Sequence, residues 1–360
     1  MKRLTTVLTA VGLAASVNAF AGGIDEIAVI TPEITIPKLP GGFFIGGSGD
    51  YLQVSATASD LDYASINQTP LTVGEFTEDS SSVGHLTPDY TWGWSVLLGY
   101  TFDGTGNDII VDYFHFQGSK SNARSVAAPG NITPAVIAVD EGTITAAEGN
   151  VTYYTDQVDL MVGQFIDIGS RLRVHPGVGL RWAAVHRDVT GSFISPVVPN
   201  PDIPEIRLVT LSTNTNSHFS GLGPILGLDA SYDLWYGFAG VAHFDAAILA
   251  GKVHSELHFT DDVYATTTFE QRFYAANFYE QSVRRMVPVV DGKLGVNYMY
   301  AFSHDPKMSL TAEVGWAFTN YFNVADGLGG NVTTTPANIA GHGTVNVGAQ
   351  GLYFDLVLAM

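Results

Sequence analysis

The sequence predicts an all-β chain, an antiparallel transmembrane β-barrel, and three observations carry that prediction. Residues 171–185 sort by parity: Leu172, Val174, Pro176, Val178, Leu180, Trp182 and Ala184 are apolar, while Arg171, Arg173, His175, Gly177, Gly179, Arg181 and Ala183 are charged, polar or small. Successive strand side chains leave on opposite faces, so this run offers one face to hydrocarbon and one to water, over more than the roughly 9 to 11 residues that a tilted strand needs to cross a bilayer. Second, charged residues make up 14% of the chain and 39 of its 360 residues are glycine, where soluble domains average about 25% and 7%. Third, the chain opens like an exported protein yet contains no later apolar run of about 18 residues that could form a spanning helix. The odd face of 171–185 is therefore expected to line a wet lumen.

The export signal is Lys2 and Arg3, an apolar run from Leu4 to Ala15, and Ala19-Phe20-Ala21, with cleavage expected before Gly22. Residues 22–40 carry Pro32, Pro37 and Pro40, which remove ladder donors and predict an extended lead-in at the periplasmic side or inside the lumen. Residues 41–360 form one barrel domain.

The strands follow in order. Phe43, Ile45, Gly47, Gly49 and Tyr51 alternate with smaller or polar residues, and Trp92, Trp94, Val96, Leu98, Tyr100 and Phe102 alternate with Gly93, Ser95, Leu97, Gly99 and Thr101. Aromatics at both ends of that second face fit the interfacial belts of a barrel. Beyond a turn at 103–107, Ile109, Val111 and Tyr113 oppose Ile110, Asp112 and Phe114; Val158, Leu160 and Val162 then oppose Gln157, Asp159 and Met161, and a turn at 166–170 leads into the opening stretch. Leu222, Leu226 and Leu228 oppose Gly221, Gly227 and Asp229, with a bulge or kink expected at Pro224. After a reversal at 233–234, Phe238, Phe244 and Ile248 oppose His243 and Asp245; Met286, Val290, Leu294 and Tyr298 oppose Arg285, Asp291 and Lys293. The last two strands set Leu310, Val314 and Trp316 against Glu313, then Leu352, Phe354 and Leu356 against Asp355. That gives about ten strands. Short turns alternate with polar stretches near 55–88, 119–150, 187–217, 251–283 and 323–345, read as long extracellular loops with room for 12 to 16 strands.

These segments carry a resemblance to the Legionella-type major outer membrane protein family. It rests on Gly41-Gly42-Phe43-Phe44, Leu61-Asp62-Tyr63, Trp92-Gly93-Trp94 and Thr105-Gly106-Asn107-Asp108, on residues 163–169 (GQFIDIG), on Gly221-Leu222-Gly223-Pro224, on residues 287–295 (VPVVDGKLG), and on Asn320-Tyr321-Phe322 and Gly351-Leu352-Tyr353-Phe354. The resemblance implies an abundant surface porin that passes small hydrophilic solutes. It also implies cysteine cross-links, yet the chain has no cysteine, so any homo-oligomer is expected to be noncovalent.

The formal charge of −19 becomes −21 when Lys2 and Arg3 leave with the signal, which disfavours a nucleic-acid partner. The expected partners are outer-membrane lipid, lipopolysaccharide and the diffusing solutes, and the expected location is the bacterial outer membrane. The expected pore lining is Asp112, Asp159, Arg173, His175, Arg181, Asp229, His243, Asp245, Asp291, Lys293, Glu313 and Asp355. Seven acids against three bases predict a mild cation preference, and Asp291→Asn is expected to change it without disturbing the fold. The alternative is that these groups pair across the barrel and fill it, leaving a closed surface-binding barrel. No cofactor or metal site is expected: His254, Glu256 and His258 share one side of an extended segment but read as a solvated edge. Asp229, His243 and Asp245 have no serine tied to them by spacing, so no enzymatic activity is expected.

Overall fold

In the computed structural model ten strands close into a barrel in chain order: β1 (Gly42–Ala56), β2 (Thr91–Thr101), β3 (Asn107–Ser125), β4 (Ala146–Gln164), β5 (Leu172–Ser195), β6 (Arg207–Trp235), β7 (Phe238–Ala265), β8 (Glu270–Ala301), β9 (Ser309–Asn331) and β10 (Asn338–Ala359). Each pairs antiparallel with the next. The ring closes where β10 meets β1, from Val347 opposite Ala56 to Ala359 opposite Phe44. The structure describes residues 32–360 apart from 58–60, 68–70, 74–75, 79–80, 128–129, 139–143, 196–206, 266–269, 303–307 and 334–336. The expected signal segment and the turn at 303–307 lie outside the described residues.

Near the short turns the alternation places side chains as the sequence predicts. Leu180 is 50% exposed and its neighbour Arg181 1%, so the apolar face looks outward and the charged face inward. Outward aromatics pair across strands, Phe43 with Tyr100 and Phe238 with Tyr298 at one level, Tyr51 with Trp92 at another. Phe43 and Tyr51 stand eight residues apart on β1, on the order of 26 Å along the strand. Before tilt is allowed for, that is comparable to the ~25 Å apolar band of a membrane barrel.

The turn between β6 and β7 consists of Tyr236 and Gly237 with φ of 51° and 85°. Two positive values are what a tight hairpin turn of matched twist requires, and they set the reversal three residues later than the sequence suggested. Before β1, Ile34–Thr35 pairs with Ile166–Ile168, and Leu39 bridges Thr105. The lead-in thus runs along the short-turn end.

Two expectations are corrected. Pro224 causes no register shift: Leu222 faces Ala250 and Ile225 faces Ala247, one continuous ladder with an interruption at 223–224. The shifts fall instead at Asp233/Trp235, Val253/Ser255, Tyr321/Ala325 and Gly329/Gly330. Most of the polar stretches beyond residue 100 are also not loops but continuations of the strands. β8 alone has 32 residues, several times the 9 to 11 or so that cross a bilayer.

The reason lies in a change of sign. On β7 the outward residues run Phe244, Ala246, Ile248, Ala250 and then Lys252, His254, Glu256, His258, while the inward ones run His243, Asp245 and then Val253, Leu257, Phe259. β5 and β6 change in the same way: Trp182 and Leu222 look outward below, His186 and Asn214 above, and Phe193, Leu211 and Phe219 fill the inside. Above the membrane the outer face meets water, and the interior becomes a largely apolar core that also buries Arg187, Thr213, Thr215 and Ser217.

Additional strands lie outside the ring. Asp62–Asn67 pairs with both Ser81–His85 and Asn131–Pro134 in a small sheet, Leu71–Val73 pairs with Phe76–Glu78, and Ile137–Ala138 runs parallel to Gly330–Asn331.

Leu180→Arg should destabilise the barrel by about 2 to 4 kcal/mol near the bilayer midplane, whereas Asn214→Arg, on the outward face of the upper barrel, should stay within about 0.5 kcal/mol of the parent. Urea unfolding of both variants refolded into lipid vesicles measures the difference, and equal losses would contradict the assigned membrane boundary.

Candidate functional site

The inward residues toward the short-turn end surround a chamber of about 320 Å³. At its upper edge Arg181 donates from Nε and Nη2 to both oxygens of Asp159, at 2.8 and 2.7 Å, and from Nη1 to Asp291. The Thr319 hydroxyl also donates to Asp291. Gln157 donates to Asp159 at 2.9 Å and accepts from the Tyr321 hydroxyl at 2.6 Å. Strands β4, β5, β8 and β9 thus meet in one network around Arg181, which is 1% exposed.

A second chain of contacts crosses the chamber. His175 lies between Asp108 at 2.9 Å and Asp229 at 3.1 Å, and His243 lies between Asp229 at 2.8 Å and Glu313 at 3.0 Å. The Tyr353 hydroxyl donates to Glu313 at 2.6 Å. Lys293 donates to Asp355 at 3.1 Å and sits 4.8 Å from the centre of the Tyr353 ring. Asp112 and Asp245 line the same chamber, and Asp112 Oδ1 is buried without a hydrogen-bond partner.

Eleven of the twelve residues singled out in the sequence therefore surround one space. Arg173 does not: it donates to Asp167 at 2.7 Å at the short-turn rim, beside the Phe165 ring. The sequence reading missed Asp50, Asp108, Gln157, Tyr321 and Tyr353. Asp50, Gln157 and Tyr353 already stood on the inner parity, whereas Asp108 adjoins a turn.

Just above Arg181 the interior is packed mainly with apolar side chains, which corrects the expectation of a wet lumen along the whole odd face. Ala183 and Val185 continue that face as buried apolar residues, and Ile225, Leu249, Val287 and Tyr321 are each 1% exposed or less. One cluster of buried apolar residues draws on nine of the ten strands, all but β2. It also takes in Tyr63, Leu86 and Ile132 from the segments above the ring. A Cβ on Gly149 would come within 2.6 Å of the Tyr63 ring, so glycine is required where that ring seats on the barrel wall.

The upper parts of β9 and β10 help close the mouth. The ladder between β8 and β9 ends at Val289 and Tyr321. Asn323, with φ of 55°, then redirects β9 through a bulge, and the Asp326 amide donates to Ser217 Oγ of β6 at 3.1 Å. β9 is not β6's neighbour in the ring, so this bond crosses the mouth.

His254, Glu256 and His258 point outward on upper β7; His254 faces His218, which faces His186. Among the described residues they do not converge as metal ligands, whereas Glu280, Asp326 and His342 do. Asp229 and His243 are linked through a hydrogen bond, but Asp245 is not part of that chain.

Pairing also corrects the expected neutrality of Asp291→Asn, since Asp291 balances a buried guanidinium. Arg181→Met should cost about 3 to 5 kcal/mol by stranding two carboxylates. Adding Asp159→Asn and Asp291→Asn should recover most of that loss, with urea midpoints of the refolded single and triple variants as the measurement.

Solved structures similar to this chain include the outer membrane protease OmpT from Escherichia coli (12% identity, TM-score 0.37, covering 90% of this chain and 98% of that one). The P. putida toluene transporter TodX follows at 6% identity and TM-score 0.25, covering 89% of each chain. The CymD monoaromatic hydrocarbon channel follows at 8% identity and TM-score 0.21, covering 89% of this chain and 88% of that one. No curated protein sequence matches the chain. A protease among the matched barrels overturns the expectation that enzymatic activity can be excluded, although a TM-score of 0.37 assigns no reaction to this chain. The family model described as the Legionella pneumophila major outer membrane protein precursor matches residues 35–360, and this outer-membrane β-barrel belongs to that family.

Proposed function

We propose that the chain is a cell-surface barrel that binds through its outward extension while its lumen stays closed. The observation that supports this reading is the apolar packing above Arg181, where Ile225, Leu249, Val287 and Tyr321 are all buried. A barrel of about eight strands is just filled by side chains. Ten strands leave somewhat more room, and here large residues occupy it. Export through a signal peptide cut before Gly22, contact with lipopolysaccharide and noncovalent self-association belong to the same reading.

A second reading, a narrow porin with a mild cation preference, has one observation in its favour. The chamber below the apolar layer is polar and holds acids beyond those in ion pairs, Asp112 and Asp245 among them. Rings of carboxylates of this kind select cations where a path exists. In this reading the eleven residues around the chamber form the pore lining with Arg173 at its short-turn rim, and small hydrophilic solutes are its cargo.

Planar-bilayer recordings of the refolded protein separate the two. The closed reading expects no steps from the native chain and cation-preferring steps from a variant with Tyr321→Ala and Phe116→Ala, which empties part of the layer. Reproducible steps from the native protein would replace it with the porin.

A further inference from the structure

Three irregularities in the ladders gather at one place in the barrel mouth. The shift at Val253/Ser255 brings Glu280 of β8 opposite Ser255, the bulge at Asn323 redirects Asp326 of β9, and His342 of β10 stands opposite Leu328, just below the shift at Gly329/Gly330. Bulges commonly re-aim side chains beside functional sites. Here they bring one imidazole and two carboxylates from three strands together, with ligand atoms all within 4.8 Å of one another.

We propose that Glu280, Asp326 and His342 form a binding site for a divalent transition-metal ion of the zinc class, at the outer mouth of the barrel. The spacing fits such an ion. His342 Nε2 lies 3.0 Å from Glu280 Oε2 and 3.6 Å from Asp326 Oδ1. Ligand atoms bonded at about 2.0 to 2.1 Å in a tetrahedron stand about 3.3 Å apart. Two carboxylates and an imidazole are also a donor set this class of ion accepts, with the fourth position left to water or a ligand.

Two further observations point into the site. Glu280 Oε2 is buried, and its near contact is His342 Nε2 at 3.0 Å, another ligand atom of the same cluster. Asp326 is 1% exposed, and its charge is opposed by Arg285, whose Nη1 lies 2.7 Å from the same Asp326 Oδ1. Arg285 also donates to the Asn323 carbonyl at 3.1 Å, which gives it a place to remain when Asp326 Oδ1 turns to an ion. The His342 side chain is 43% exposed, so an ion can enter from outside.

The test is titration of Zn²⁺ into the refolded full chain in detergent by calorimetry, with Co²⁺ absorption reporting the coordination geometry. One ion per chain is expected, with tetrahedral Co²⁺ bands. His342→Ala and Glu280→Gln should each weaken binding by about tenfold or more while circular dichroism shows the barrel intact. Arg285→Gln should tighten it, because a competing cation is removed from Asp326. His254→Ala should leave it unchanged. No uptake by the folded parent would overturn the proposal, as would uptake that survives His342→Ala and Glu280→Gln or is lost in His254→Ala.

Discussion

Hydrocarbon offers no partner to a backbone amide or carbonyl, so a sheet that enters a membrane must close on itself. The ladder between β10 and β1, from Val347 opposite Ala56 to Ala359 opposite Phe44, meets that demand. Everything else follows from it. Closure fixes one face of every strand toward lipid and the other toward the axis, and it fixes the interior at the width that ten strands allow. In so small a ring most inward residues pair or pack.

The two halves of the barrel resolve this differently because they stand in different solvents. Where Leu180, Leu226 and Leu294 face lipid, apolar surface outside gains nothing by turning inward, so the inside can hold Arg181, Asp159, Asp291 and Lys293. Most charges so placed are paired, because a buried ion left without a partner costs several kcal/mol. Above the lipid, water wets the outer wall, and burying Phe193, Leu211, Phe219 and Phe259 recovers the hydrophobic stabilisation of an ordinary core. One continuous ladder thus joins a membrane barrel with polar contents to a water-facing barrel with apolar contents.

That division explains what the linear chain disclosed. Outward apolar alternation marked all ten strands, because lipid imposes the same signature on each. It stopped marking them at Lys252 on β7 and at His186 on β5, where alternation persists with its faces exchanged. A search for lipid-facing residues reads such a stretch as a loop. The inner charges were visible by the same parity, so most of the chamber lining could be named without coordinates. Their pairing could not: Arg181 and Asp291 lie on strands that are not neighbours, and 110 residues separate them. The cluster of Glu280, Asp326 and His342 was hidden for a related reason, since bulges shift the parity there.

Pairing also changes what the inner charges can do. Seven acids against three bases suggested a mild cation preference. Arg181 bonds both Asp159 and Asp291, Lys293 is bonded to Asp355, and Asp229 and Glu313 are each bonded to histidine. The other five acids of the expected lining are thus each held by a cationic or imidazole partner, and Asp112 and Asp245 are the two without an ion pair among the described residues. Both lie in the chamber with the ion pairs. The dry layer at Ile225, Leu249 and Val287 begins above it. An ion drawn to those two acids would reach a polar vestibule and then meet an apolar barrier that no carboxylate in the chamber can lower. The packing of that layer, not the count of acids below it, decides whether the barrel conducts.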